Sequence, residues 1–158
     1  MDARLRVLPN GDPSSPPSIL VASTGAAIDS RVIDEAVKLG RAMNPRPVMH
    51  VLSIAQIFGT ALGLQHPGLF PTRREWRAQA DLVEDAVKAL ERRGFSAKGQ
   101  VLGSRHAGKA IANVAATQGC AAIVIGATPL PRWRQLLQQD ETRKVVRRAT
   151  VPVHVVDM

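Results

Sequence analysis

The sequence is short of cysteine, aromatic residues and long apolar runs, and each shortage excludes a class of protein. Cys120 is the single cysteine among 158 residues, so no disulfide can form within the chain, as suits a reducing cytoplasm. There is no tyrosine, and phenylalanine and tryptophan together make up 3% of the chain. No apolar run approaches the roughly 18 residues that a membrane span needs. We therefore expect a cytoplasmic protein without a membrane span.

The net charge of +8 is the compositional feature that favours an acidic partner. Such a charge fits a nucleic acid, an anionic ligand or a membrane surface. The basic residues are spread over several segments, with one tight group at Arg143, Lys144, Arg147 and Arg148. Single-strand binders stack bases on aromatic side chains, which this chain largely lacks. Nucleic acid is therefore disfavoured as a partner.

The N-terminal segment differs from the rest of the chain. Residues 1–17 contain Pro9, Gly11, Pro13, Pro16 and Pro17 and no apolar stretch of the kind that a secretory signal needs. We predict a flexible N-terminal segment over residues 1–17 and one α/β domain over residues 18–158, a length that suits a single hydrophobic core.

Short apolar runs alternate with amphipathic segments along the domain. The predicted strands are 18–23, 46–54, 96–102, 121–125 and 151–156, and the predicted helices are 28–39 with Gly40 as a stop signal, 75–91, 107–118 and 140–149. The third strand is the more polar, as an edge strand would be. This order predicts a doubly wound parallel sheet with helices on both faces.

A ligand site in such a sheet lies beyond the carboxyl ends of the strands, where the strand order reverses. The candidate site is therefore lined by the loops after Ser23, Ser53, Leu102 and Ile125. Residues 55–71 show no regular pattern, which is typical of a lid or binding loop.

The sequence contains no complete motif for catalysis or metal binding. The segment Gly103–Ala110 resembles a P-loop, but Ala110 stands where magnesium binding needs serine or threonine. It is expected to be a turn before a helix, although Arg105, His106 and Lys109 would attract an anion there. The four histidines lack metal-ligand spacing, and no serine sits in a nucleophile elbow. We predict no enzyme activity, no metal and no cofactor, and an inert buried thiol at Cys120.

The segment from Ala121 to Val156 resembles the C-terminal half of the universal stress protein family, and the resemblance extends over roughly residues 18–157. It runs Ala-Ala-Ile-Val-Ile-Gly to Gly126, continues to Gln139, then forms the helix pattern Asp140–Ala149 and the strand Val-Pro-Val-His-Val-Val from Val151. The start agrees as well, with an apolar strand, a short loop and a helix. The resemblance implies a five-stranded sheet of order 3-2-1-4-5. It also implies a homodimer, often paired through the last strand, which here carries Val151, Val153 and Val155.

Members of that family that bind ATP carry a glycine-rich loop, and the resemblance places its positions on Gly126, Pro129, Gln139 and Asp140. Only the first is glycine. Pro129 has no N–H for a phosphate, and Asp140 would set a carboxylate against the phosphates. The family's acidic residue at the end of the first strand aligns with Thr24. The resemblance therefore implies a member with a degenerate ATP motif at Thr24, Pro129, Gln139 and Asp140.

Three functions stay open at this point. The first is a dimeric, non-enzymatic stress-response module that acts through an unidentified protein partner and does not bind ATP. The second is a sensor of a nucleotide or another small anion at the strand ends, with the candidate pocket residues Thr24, Gly25, Gly103, Gly126, Thr128, Arg132 and Arg134. The third is a cytoplasmic regulatory domain of a transporter.

Overall fold

A computed structural model describes residues 14–56, 71–127 and 141–157. The strands are β1 (Ser18–Ser23), β2 (Val48–Gln56), β3 (Ala97–Ser104), β4 (Ala122–Ala127) and β5 (Val153–Asp157). The helices are α1 (Ser30–Arg41), α2 (Arg73–Arg92), α3 (Ala107–Thr117) and α4 (helical residues 141–148). Among the described residues, no helix combines the length and the apolar character needed to cross a bilayer.

The strands form one parallel sheet in the order β3-β2-β1-β4-β5, which confirms the predicted topology. The chain moves outward from β1 through β2 to β3, crosses to β4 and ends at β5. β1 pairs with β2 through Ser23↔Ser53 and with β4 through Ala22↔Ile125. The strand order therefore reverses between β1 and β4, and β3 is an edge strand as its polar sequence predicted.

Alternation along the central strands divides the core into two layers. Ile19 and Val21 of β1 pack against α1 and α2, whereas Leu20 and Ala22 pack against α3 and against Val145 of α4. Every residue of β1 is buried. Because helices cover both faces of the sheet, β1 is apolar without interruption from Ile19 to Ala22.

The sequence predicts that Gly40 ends the first helix, and this prediction is wrong. The helix runs on to Arg41, and a Cβ atom on Gly40 would lie 2.6 Å from both Met49 Cε and Phe95 Cε1. The glycine is there because the helix packs closely on the core. Its conformational freedom is not used.

β2, β3 and β4 each run two residues beyond their predicted ends, and β2 and β5 each begin two residues later than predicted. Residues 55 and 56 continue β2, because they pair with Gly103 and Ser104 of β3. Val151 precedes β5, which begins at Val153 after Pro152, a residue without an N–H for the ladder. Residues 57–70 of the predicted lid lie outside the described residues.

Candidate functional site

A very small cavity marks the crevice where the strand order reverses. It measures about 10 Å³ and is lined by the loop that links β1 to α1, by Val32 of α1 and by Gly126 of β4. This is the volume of a single water-sized probe. No charged side chain is among its described lining residues.

Backbone geometry brings the β1–α1 loop down onto the sheet. Gly25 has a φ of 112°, a conformation that residues with a side chain rarely adopt, and its missing Cβ would lie 3.0 Å from the carbonyl oxygen of Ile54. The hydroxyl of Ser23 donates to the carbonyl oxygen of Ala26 and accepts the N–H of Gly25 at 3.2 Å. The loop is therefore folded back over the end of its own strand.

Gln79 on α2 fastens the same loop to the neighbouring strand. The hydroxyl of Ser53, which is 1% exposed, donates to Gln79 Oε1 at 2.6 Å, and Gln79 Nε2 donates to the carbonyl oxygen of Gly25 at 2.9 Å. One side chain thus satisfies a buried hydroxyl and a loop carbonyl together. Ser53, Gln79 and Gly25 form what we call the loop clasp.

Two helix N-termini at this end of the sheet, those of α1 and α3, already hold carboxylates of the chain. Asp29 caps α1 by accepting the N–H of Arg31 at 2.8 Å. That bond, and then the bond from the Arg31 side chain, hold the pKa of Asp29 below its usual value. At α3, the N–H of Gly108 donates to Glu141 Oε2 at 2.6 Å. A phosphate at either helix end would meet a carboxylate in its place.

The second of these contacts explains the segment that resembles a P-loop. A Cβ on Gly108 would lie 2.6 Å from the carbonyl oxygen of Glu141, so this glycine lets α4 approach α3. Glu141 also pairs with Lys144 Nζ at 2.8 Å. The expectation of a turn before a helix holds, and the Gly108 N–H is bound to a residue that the local motif does not contain.

The structure brings together part of the predicted pocket. Thr24 and Gly126 line the same small cavity, and Gly25 adjoins it in the loop. Gly103 lies within β3 and pairs with Ala55, two strands away from β1. Parallel strands are about 4.8 Å apart, so Gly103 is roughly 10 Å from the cavity and does not belong to it. The other predicted positions lie outside the described residues: Thr128, Pro129, Arg132, Arg134, Gln139 and Asp140.

Cys120 has the environment expected of a structural residue. Cys120 is 3% exposed and accepts the hydroxyl of Ser18 at 3.5 Å, and burial raises the pKa of its thiol. His50 and His154 lie in β2 and β5 as predicted. The described residues contain no cluster of three side chains that could hold a metal ion.

β5 has β4 on one side and is the last strand of the sheet on the other. Val153 is partly buried against the core layer beneath α3, whereas Val155 is 44% exposed. Val151, predicted to belong to the same edge, packs against that layer from outside the strand.

No sequence pattern identifies Gln79 or Glu141 as residues that shape the site, and Ser53 is predicted only as a strand residue before a loop that lines it. A weak signal existed for Gln79, which is a polar residue four positions before Val83 and therefore on the apolar stripe of α2. Its partners are 26 and 54 residues away in sequence, so no local pattern identifies them.

The family model and the solved structures that match this chain all describe one protein family. A family model described as the universal stress protein family matches residues 17–157. The solved universal stress protein from Archaeoglobus fulgidus is 17% identical, with a TM-score of 0.67 over 90% of this chain and 98% of that one. The solved structure of the universal stress protein from Archaeoglobus fulgidus in complex with dAMP is also 17% identical, with a TM-score of 0.63 over 90% of this chain and 98% of that one.

A protein of the universal stress protein family from Burkholderia pseudomallei is 20% identical, with a TM-score of 0.64 over 88% of this chain and 94% of that one. At these identities the structural likeness establishes the fold. None of the curated proteins compared with the chain matches it.

Proposed function

Because this chain belongs to the universal stress protein family, we propose that it is a non-enzymatic stress-response module that acts through protein contacts and does not bind ATP. The observation that carries this proposal is the small size of the cavity that the described residues form at the carboxyl ends of β1 and β4. Ligand cavities usually measure about 300 Å³ or more. The cavity between the β1–α1 loop and Gly126 measures about 10 Å³, far too little for a nucleotide base or sugar.

The charges around the crevice also disfavour a triphosphate. The described lining residues supply no cation, and the N-termini of α1 and α3 hold the carboxylates of Asp29 and Glu141. Anions bind at a helix N-terminus through free N–H groups. A triphosphate would have to displace a carboxylate that is tethered to the chain. Pro129 and Asp140, which the resemblance places in the family's glycine-rich loop, disfavour a bound phosphate as well.

Thermal unfolding with and without magnesium-ATP tests this proposal directly. A ligand that binds only the folded protein adds about 2.7 kcal/mol of stability at 100 times its dissociation constant. We expect no change in melting temperature beyond that produced by magnesium tripolyphosphate, which controls for non-specific anion binding to a chain of net charge +8. A larger shift with ATP than with tripolyphosphate would overturn the proposal.

A nucleotide-monophosphate or small-anion sensor is the second candidate. It is favoured by the solved structure of the Archaeoglobus fulgidus universal stress protein in complex with dAMP. The sequence offers Arg132 and Arg134, in the segment that follows β4, as candidate cations for such a ligand. The same thermal assay with AMP, dAMP and cyclic AMP separates the two candidates, since only the sensor predicts stabilisation by one of these without stabilisation by ATP.

The proposed module is a homodimer that pairs through β5. An edge strand with free backbone groups is a template for a second copy, and identical strands pair across a two-fold axis. The exposed side chain of Val155 adds apolar area at that edge. Val153 and Val155 are therefore the strand residues proposed to meet their counterparts in the partner.

A further inference from the structure

The two faces of the sheet are covered unequally on the β2–β3 side. On the first face α2 packs against both β2 and β3, and Gly99 lets it approach so closely that an added Cβ would clash with Val83. On the second face α3 packs against β2. Lys98 and Gln100 of β3 are exposed there. A groove remains between α3 and β3, with β2 as its floor.

This groove contains an open cavity of about 290 Å³, close to the lower limit of ligand-binding cavities. Val114 forms an apolar wall, Leu20 lies fully buried beneath the floor, and the polar side chains are those of His50, Lys98, Gln100 and Gln118. His50 and Lys98 come early in their strands, and Gln118 follows the last residue of α3. The cavity therefore lies near the amino ends of the strands, away from the small cavity beside Gly126.

The basic groups of the cavity lie on its β2–β3 side. His50 and Lys98 are register partners in neighbouring strands, as are Leu52 and Gln100. Burial, and then the charge of Lys98, hold the pKa of the half-buried His50 below its ordinary value. Within the described part of the chain, the side chains of His50 and Lys98 make no hydrogen bond or ion pair, so both can accept a ligand.

We propose that this cavity binds a small organic carboxylate, with the carboxylate between Lys98 and His50 and the apolar part of the ligand against Val114. Lys98 supplies a permanent positive charge, and a protonated imidazole supplies a second. The carboxyl end of α3 carries the negative end of the helix dipole. The carboxylate therefore faces β3, and the glutamine amides hydrogen-bond its edges.

The proposal predicts a defined pH dependence. A bound carboxylate favours the charged form of His50 and raises its pKa, so binding strengthens as the pH falls from about 8 to about 5.5. Lys98 is the other titratable side chain among the described lining residues, and it stays protonated throughout this range. A carboxylic acid with an ordinary pKa near 4 also stays ionised.

Benzoate is a suitable probe, with benzamide as its neutral counterpart of the same shape. We expect benzoate to shift the backbone NMR signals of β2, β3 and the end of α3 at a pH of about 6, and to raise the pKa of the His50 ring. Benzamide should produce shifts at least about fivefold weaker at equal concentration, as an ion-pair contribution of about 1 kcal/mol implies. Equal binding of benzamide, or of inorganic phosphate at the same residues, would overturn the carboxylate assignment.

Charge-removing variants locate the site. Lys98→Gln and His50→Gln should each weaken benzoate binding about two- to fivefold at a pH of about 6, and His50→Gln should remove the pH dependence. Lys38→Gln is the matched control, because it removes the same charge from α1 on the opposite face, at a side chain that is 79% exposed. Equal weakening by Lys38→Gln, or no benzoate-induced shift around His50, would refute the site. Neither result tests ATP binding, because the small cavity beside Gly126 lies at the other end of the strands.

Discussion

Gln79 is the side chain that holds the β1–α1 loop most directly, because it joins α2 to β2 and to that loop. Gln79→Ala keeps a good helix former but leaves the buried hydroxyl of Ser53 and the carbonyl of Gly25 without this partner. We expect a loss of about 1–2 kcal/mol in the free energy of unfolding, the usual cost of an unsatisfied buried polar group. Urea denaturation measures this loss.

The control for that substitution is Arg77→Ala, at an exposed position of the same helix. It should change the unfolding free energy by less than about 0.5 kcal/mol. Amide exchange of the β1–α1 loop should accelerate in Gln79→Ala alone. Equal effects of the two substitutions on stability and exchange would show that the clasp contributes nothing specific.

His50 should impose a pH dependence on the stability of the free protein. Its pKa is lower in the folded state, chiefly because burial disfavours the charged form. The unfolded chain therefore takes up this proton first, and stability falls as the pH drops below about 6.5 and then through the folded pKa. Between pH values of about 7.5 and 5.5, the wild type should lose more unfolding free energy than His50→Gln, as measured by urea denaturation at each pH. A parallel loss in both would contradict the assignment.

Contact between α3 and α4 depends on the absence of a side chain at Gly108. In an open helix, replacing glycine with alanine stabilises by about 0.5–1 kcal/mol. Here the new Cβ would lie 2.6 Å from the Glu141 carbonyl oxygen and 2.7 Å from Lys144 Cβ, so α4 must shift. We expect Gly108→Ala to destabilise by about 1–3 kcal/mol, the usual cost of overpacking.

Ala116, exposed on the same helix, provides the comparison. Ala116→Gly should cost about 0.5–1 kcal/mol, which calibrates the intrinsic preference of α3 for alanine over glycine. Thermal or urea unfolding of both variants gives the two numbers. If Gly108→Ala stabilises the protein by the amount that Ala116→Gly costs, the helices are not in close contact at this point.

Sequence periodicity was most successful at the scale of elements, and its errors have a common cause. The positions of the helices and strands followed from apolar spacing, because each element buries a stripe or a face. The sequence predicts the end of the first helix at Gly40, because glycine often follows the last turn of a helix. Met49 and Phe95, which require a glycine there, come from other elements and leave no local signal. The end of β2 was likewise decided by pairing with β3.

Assembly through β5 is a property of the whole molecule. The proposed dimer should sediment as twice the chain mass of 17.0 kDa, and Val155→Lys should give the monomer, because a lysine on an edge strand opposes strand pairing. Val146 of α4 is the matched control, since it is 50% exposed against 44% for Val155 but lies outside the strand. Sedimentation velocity of wild type, Val155→Lys and Val146→Lys tests this. A monomeric wild type, or dissociation by Val146→Lys alone, would exclude pairing through β5.

The sequence by itself determined the class of fold, the strand order through its family resemblance, and the burial of Cys120. These follow from the alternation of apolar runs and helical stripes, which is a local property of the chain. The N-terminal boundary at residue 17, cytoplasmic location, the transporter alternative and the altered loop at Pro129, Gln139 and Asp140 stay predictions.

Only the tertiary structure decided how the strand ends are occupied and where an open cavity remains. The loop clasp joins residues up to 54 positions apart, and Glu141 reaches the N–H of Gly108 across 33 positions. The cavity beside His50 exists because α3 covers less of the sheet than α2 does on the other face. Such features depend on which distant side chains the folded chain brings within hydrogen-bond distance, and periodicity carries no information about that.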